Sequence, residues 1–146
     1  MMAADEGAAI LETNNDGPKI PDVKKTKFDV IIIGAGPAGY TAGIYCSRAG
    51  YDTLILSGIL PGGQLVNTTE VENYPGFENG IMGPDLMIDM RKQSQRMGTT
   101  IIDDVAVDVD FRRAPYKVLT GSEEYEGRAV IIATGANPRK MGISGE

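Results

Sequence analysis

The stretch FDVIIIGAGPAGYTAGIYCSRAGYDTLIL, residues 28–56, restricts the fold more than any other part of the chain. Its opening, FDVIII (28–33), is a short apolar, β-branched run of the kind found in strands buried on both faces. A hexapeptide with three glycines follows, and residues 40–50 then read as a helix. Pro37 lies near the first turn of that helix, Arg48 in its last, and Gly50 is a C-terminal stop. YDTLIL (51–56) returns as a strand. Strand, turn, helix and strand within about thirty residues make a βαβ unit, which requires parallel strands and a right-handed crossover. The expected class is α/β, with a Rossmann-like domain on a parallel sheet.

The hexapeptide Gly34-Ala35-Gly36-Pro37-Ala38-Gly39 carries the G-x-G-x-x-G spacing in the place where that spacing has chemical meaning. Gly34 suits the tight turn, Gly36 lets backbone approach a pyrophosphate, and Gly39 lets helix and strand pack closely. Free amides of the first helical turn face an anion there, and the helix dipole adds roughly 0.3–1 kcal/mol per charge. Dinucleotide binding is the expectation. One element is missing. The acid that holds the ribose hydroxyls stands about twenty residues on, at the end of the second strand. Here Ser57-Gly58 occupy that place, and Asp52 lies at the wrong end of the strand. Either the ribose is held another way or the following loop takes over.

That loop, GGQLVNTTEVENYPGF (62–77), reads as long, rich in amides and hydroxyls, and poor in core residues. Beyond it, Gly83-Pro84 open a helix over 83–98, with Asp85 at its positive end and Leu86, Met87, Met90 and Met97 as a core stripe. VAVDVDF (105–111) alternates as a half-exposed strand, YKVL (116–119) forms another, and RAVIIATG (128–135) is the last. The pattern predicts a small antiparallel β-meander beside the parallel sheet. Period-two spacing puts Asp104, Asp108 and Asp110 on a solvent face, which argues against a metal or paired-carboxylate site at Asp103–Asp110.

What the chain lacks excludes several classes. It has no histidine, so no His-based triad, relay or metal site can be built from these residues. Its single cysteine, Cys46, lies mid-helix, can form neither an internal disulfide nor a dithiol pair, and fits a reducing, cytoplasmic setting. A net charge of -6 argues against a nucleic-acid groove. No apolar run approaches the roughly 20 residues of a membrane span. Residues 1–27 read as a disordered polar tail without a targeting pattern, leaving one domain over 28–146.

Three segments in this order, VIIIGAGPAGYTAGIY, GGQLVNTTEVENYPGF and VIIATGANPR, resemble the N-terminal FAD-binding half of low-molecular-weight thioredoxin reductases. The loop is the discriminating piece; the other two occur across many flavoprotein oxidoreductases. The resemblance implies that Gly34, Gly36, Pro37, Ala38 and Gly39 hold the FAD pyrophosphate. Ser57, Gly58, Gly62, Gly63 and Gln64 would pass along the ribose and ribityl side, and Asn73 would meet the flavin region. Val105 would meet the adenine through its backbone, while Ala133, Thr134 and Gly135 close over the cofactor. Gln64 and Asn73 are chemically apt, since a flavin offers carbonyl oxygens and ring nitrogens to amides. Plainer readings stay open: a turn residue at Asn73, a loop amide at Gln64, a packing residue at Val105, an ordinary strand end at Thr134-Gly135.

In the family, electrons pass from NADPH through FAD and a CxxC pair to thioredoxin. The complete enzyme is expected to be a homodimer. The NADPH domain and CxxC follow a GxxGE segment, and here the sequence ends on Gly145-Glu146. The expectation is a partial enzyme that holds FAD incompletely, contributes no catalytic residue and does not turn over alone. A related flavoprotein, such as a ferredoxin-NADP reductase or a peroxiredoxin reductase, and a non-catalytic FAD-binding module are the alternatives.

Overall fold

The computed structural model describes residues 25–137, 139 and 141–143; the expected tail over 1–24 and the terminal Gly145-Glu146 lie outside the described residues. Order along the chain is β1 (Lys27–Ile33), α1 (Pro37–Arg48), β2 (Thr53–Leu56), a 3-10 turn (Gly63–Asn67), β3 (Glu70–Val71), β4 (Ile81–Met82), α2 (Gly83–Arg96), β5 (Thr100–Ile102), β6 (Asp108–Asp110), β7 (Tyr116–Leu119) and β8 (Glu124–Ile132). Six strands form one sheet in the order β5-β2-β1-β8-β7-β6, and β3 pairs with β4 in a separate antiparallel ribbon. The four strands β5, β2, β1 and β8 are mutually parallel, as the βαβ pattern requires.

The unbroken apolar run of β1 is explained by burial on both faces. Val30 and Ile32 join Ile55, Tyr40, Leu86, Met87 and Met90 on the helix side. Ile31, of opposite parity, and Phe28 at the start of the strand join Leu54, Leu56, Val118 and Tyr125 in the second core cluster. Each of the fully buried aliphatics among them contributes about 1.5–3 kcal/mol of transfer free energy. Val118 and Tyr125 come from the antiparallel strands, so the meander covers the face that the helices leave open. It is not a separate sheet. β8 pairs with β1 over residues 126–132 and with β7 over residues 124–127, and so belongs to both.

Several details differ from the sequence reading. A strand, β5, stands where none is expected: Thr100–Ile102 is too short to show a period, yet it pairs with all but the first residue of β2. The strand expected over 105–111 shrinks to Asp108–Asp110, because it is an edge strand paired only with β7, and Asp104 lies outside it. The long loop is richer in core than its amides indicate. Val71 is buried, and Leu65, Val66, Tyr74 and Phe77 pack against the helix-side core. Finally, order starts before Phe28: Lys27 pairs in β1 with Glu126, and Lys25 reaches Asp52 at 2.5 Å. Leu86, Met87 and Met90 of the stripe are buried and Cys46 is half-buried, as expected, but Met97 is only half-buried at the C-cap of α2.

Helices α1 and α2 meet closely at Gly43, where an added Cβ would lie 2.8 Å from both Ile55 Cδ1 and Ser94 Oγ. Among the described residues, Ser94 Oγ is buried without a hydrogen-bond partner. Replacing Ser94 with alanine is therefore expected to stabilise the protein by about 0.5–1 kcal/mol, from relief of that unsatisfied hydroxyl and better helix propensity. A raised urea midpoint with an unchanged slope is the corresponding reading.

Candidate functional site

The carboxyl ends of the parallel strands share one edge of the sheet, and the glycine turn leaves β1 there. From β1 the chain builds outward to β2 and then β5, whereas β8 lies on the other flank of β1. That reversal makes the carboxyl ends of β1 and β8 a topological switch point, the place where open α/β sheets bind ligands. Gly34, at φ 109°, donates its N–H to the Leu56 carbonyl at 2.8 Å. A Cβ on Gly34 would lie 2.3 Å from the Ala133 carbonyl oxygen, and Ala133 donates to the Ile33 carbonyl at 2.8 Å. The glycine turn and the Ala133-Thr134-Gly135 segment are thus in direct contact. Gly39 is equally constrained, since its Cβ would sit 2.0 Å from the Gly34 carbonyl oxygen.

Gly36 differs from both. A Cβ there meets nothing within 4 Å. It is the N-cap of α1, no side chain caps the helix, Pro37 follows, and the first turn holds no acid. Its amide end is therefore open to an anion, with the helix dipole favouring one. This is the geometry a pyrophosphate requires.

The GGQL stretch folds onto this turn. Gly62 donates to the Ala35 carbonyl at 2.7 Å, and a Cβ on Gly63 would come within 3.7 Å of Gly36 Cα. Both glycines hold positive φ, 97° and 60°. Gln64 Nε2 reaches Asn137 Oδ1 at 3.4 Å and the Ala136 carbonyl at 3.5 Å, long contacts that still place it beside the end of the Ala-Thr-Gly segment. Asn73 is not gathered in; it is exposed in a hollow lined by residues 72–78. Val105 donates its N–H to Asp104 Oδ1 at 2.7 Å, so only its carbonyl is left for a base.

Ser57 and Gly58 end β2 on the same edge, bonded to β5 by Ser57 N–H to Ile102 O and Gly58 N–H to Asp104 O, both 3.0 Å. Sequence reasoning missed what lies beside them. The buried Ser57 hydroxyl donates to Asp103 Oδ1 at 2.8 Å, and Arg91 grips both oxygens of the same carboxylate at 2.9 Å. Recognising TII as a strand would have located Asp103. Hydrogen bonding from Arg91, aided by Ser57, holds the Asp103 carboxyl below its ordinary value of 3.8 against the opposing effect of burial. Burial of the nearby Tyr40 pushes its phenol up.

Because the folded carboxyl is the stronger acid, its stabilisation is present above pH 3.8 and is lost as pH falls through the folded pKa. Asp103→Asn is expected to cost at most about 1 kcal/mol at neutral pH, since the carboxylate is more than half exposed, and the deficit should close below about pH 4. Urea titrations of both proteins at pH 7 and pH 3 measure this.

Residues 28–146 match the family model described as pyridine nucleotide-disulphide oxidoreductase. The chain belongs to the pyridine nucleotide-disulphide oxidoreductase family. Among chains similar to this oxidoreductase family member, the thioredoxin reductase of Rickettsia bellii is 51% identical over 123 residues, covering 84% of this chain and 40% of that protein. That of Yarrowia lipolytica is 47% identical over 130 residues, covering 83% and 41%. The solved Lactococcus lactis thioredoxin reductase superimposes with a TM-score of 0.76 at 43% identity, over 82% of this chain and 39% of that one. The chain thus spans about two fifths of the length of the curated relatives it matches. With these neighbours, the mostly parallel sheet is a Rossmann-like fold, and the chain corresponds to one part of the thioredoxin reductases it matches.

Proposed function

We propose that this chain supplies the FAD site of an NADPH-dependent thioredoxin-disulfide reductase. The observation that carries the reading is the junction at the switch point. Gly34 packs on Ala133, Gly62 bonds Ala35, and the enclosed Gly36 keeps open space above an uncapped helix end. Here the N–H groups of Gly36, Ala38 and Gly39 would hold the pyrophosphate, and Pro37, which has none, presets the first turn. Ser57 and Gly58 would border the ribose and Gly62, Gly63 and Gln64 would follow the ribityl chain, while Asn73, exposed outside that junction, would meet the ring system only from the loop's far end. Val105 would offer its carbonyl to the adenine, while Ala133, Thr134 and Gly135 would close over the cofactor from the end of β8. Bound FAD supplies two-electron transfer between a reduced nicotinamide and a disulfide.

The chain's part in that reaction is to bind and orient. Its one cysteine is half-buried in α1, so the dithiol that meets thioredoxin belongs to residues other than these. NADPH, thioredoxin, a homodimeric assembly and a cytoplasmic setting belong to the same proposal. Among the described residues no helix is long and apolar enough to cross a membrane. Titrating the purified 146-residue chain into FAD while following flavin fluorescence tests the site. Weak saturable binding, with no NADPH-dependent reduction of a disulfide dye, is the expected result. Absence of binding would overturn the site, and turnover by this chain alone would overturn the placement of the dithiol.

One observation favours a second reading of the electron donor. The ferredoxin-flavin thioredoxin reductase of Clostridium acetobutylicum shares this fold at 25% identity with a TM-score of 0.68. On that reading the same FAD site serves a ferredoxin-fed enzyme, and reduction by ferredoxin but not NADPH in the complete protein would select it.

A further inference from the structure

We propose that Asp103, delivered from β5 and held by Arg91, is the carboxylate that receives the adenosine ribose; this rests on the FAD reading above. An acid at the end of β2 is the usual source of that contact, and Ser57 stands there instead. The sheet places a substitute one strand away. Leu56 pairs with Ile102, so Ser57 and Asp103 are the next residues along adjacent parallel strands, and Ser57 Oγ donates to Asp103 Oδ1 at 2.8 Å. The serine thereby ties the carboxylate to the place that the missing acid would fill.

The other nearby acids are excluded by where they are held: Asp104 is drawn toward Ser122 in the β7–β8 turn, not toward Ser57. Asp104 accepts from the Val105 N–H at 2.7 Å and from Ser122 Oγ at 3.2 Å. Asp52 lies at the opposite end of β2, paired with Lys25. Asp103 retains capacity. An ionised carboxylate offers about four acceptor positions. Three are used, two by the Arg91 fork and one by Ser57, and the side chain is 58% exposed. One position on Oδ2 therefore faces outward for a hydroxyl. Space for the sugar exists beside it, because a Cβ on Gly58 would meet nothing within 4 Å. Arg91 keeps the group ionised and fixes its rotamer, so Arg91 is a positioning residue and Asp103 the binding one.

The test compares ADP with 2′,3′-dideoxy-ADP by calorimetry on the full chain and on Asp103→Asn, which keeps an acceptor for Ser57. The expected result is about tenfold tighter binding of ADP by the unaltered protein, one charge-assisted hydrogen bond's worth. In Asp103→Asn the ratio should fall to about one with the dideoxy affinity unchanged, and Asp103→Glu should restore part of it. If ADP binds but the ratio is already one, persists in Asp103→Asn, or both affinities fall together, the inference is overturned while the FAD site stands. If the unaltered chain binds neither ADP nor FAD, the functional reading fails and takes this inference with it. Should Asp103→Asn not fold, the ¹³C carboxyl resonance of Asp103 in the unaltered protein decides. It should shift with ADP and not with the dideoxy nucleotide; equal or absent shifts overturn the proposal.

Discussion

Replacing Gly36 with valine is expected to abolish FAD binding while the protein stays folded. Its φ of -86° is accessible to any residue, and an added Cβ meets no protein atom within 4 Å. The fold therefore tolerates a side chain at this position, at a cost of about 1 kcal/mol for a poorer N-cap. The cofactor does not, since the isopropyl group fills the space through which the helix amides reach a pyrophosphate. Losing two charge-assisted hydrogen bonds at about 1.5–3 kcal/mol each weakens affinity by at least about 100-fold. Flavin fluorescence titration beside a thermal melt separates the two effects. Unchanged affinity would remove Gly36 from the site, and a collapsed melt would show that the open space is needed by the protein itself.

Gly39→Ala should behave in the opposite way, with a small added group and a large loss of stability. The new methyl would lie 2.0 Å from the Gly34 carbonyl oxygen, which is backbone held by the β1–α1 turn and cannot rotate aside. Relief requires moving α1 off β1, away from a core that includes Tyr40, Val30 and Ile32. A cost of about 3 kcal/mol or more follows, which lowers the melting temperature by roughly 10 °C. Any loss of FAD binding in this variant should track the unfolded fraction, as measured by circular dichroism at each temperature. A melt within a degree or two of the unaltered protein would mean that helix and strand are less tightly seated than the backbone geometry indicates. Taken together, the two substitutions separate a glycine required by the ligand from one required by the fold.

Much of this was legible along the chain. The β1–α1–β2 unit and α2 are local patterns, and each formed close to where its periodicity and its glycines placed it, whereas the final strand, expected over 128–135, runs from Glu124 to Ile132 because its first residues pair with β7. The glycine turn was legible for the same reason, since its three roles are set by spacing within six residues. The loop at 62–77 was only half legible. Its amides were visible, but Val71, Tyr74 and Phe77 gain their meaning from a helix-side core built of distant residues. β5 was invisible because three residues carry no period, and its identity comes from pairing with β2.

Sequence alone determined the α/β class, the parallel crossover, the glycine turn that opens α1 and the absence of a dithiol, because each follows from neighbouring residues or from a count. Tertiary structure alone decided that the glycine turn, the GGQL stretch and the Ala-Thr-Gly segment meet at the switch point. It also brought Asp103, Arg91 and Ser57 together at the end of β2. Those contacts join residues 12 to about 100 positions apart, and their partners are selected by strand order and register, which no local pattern encodes.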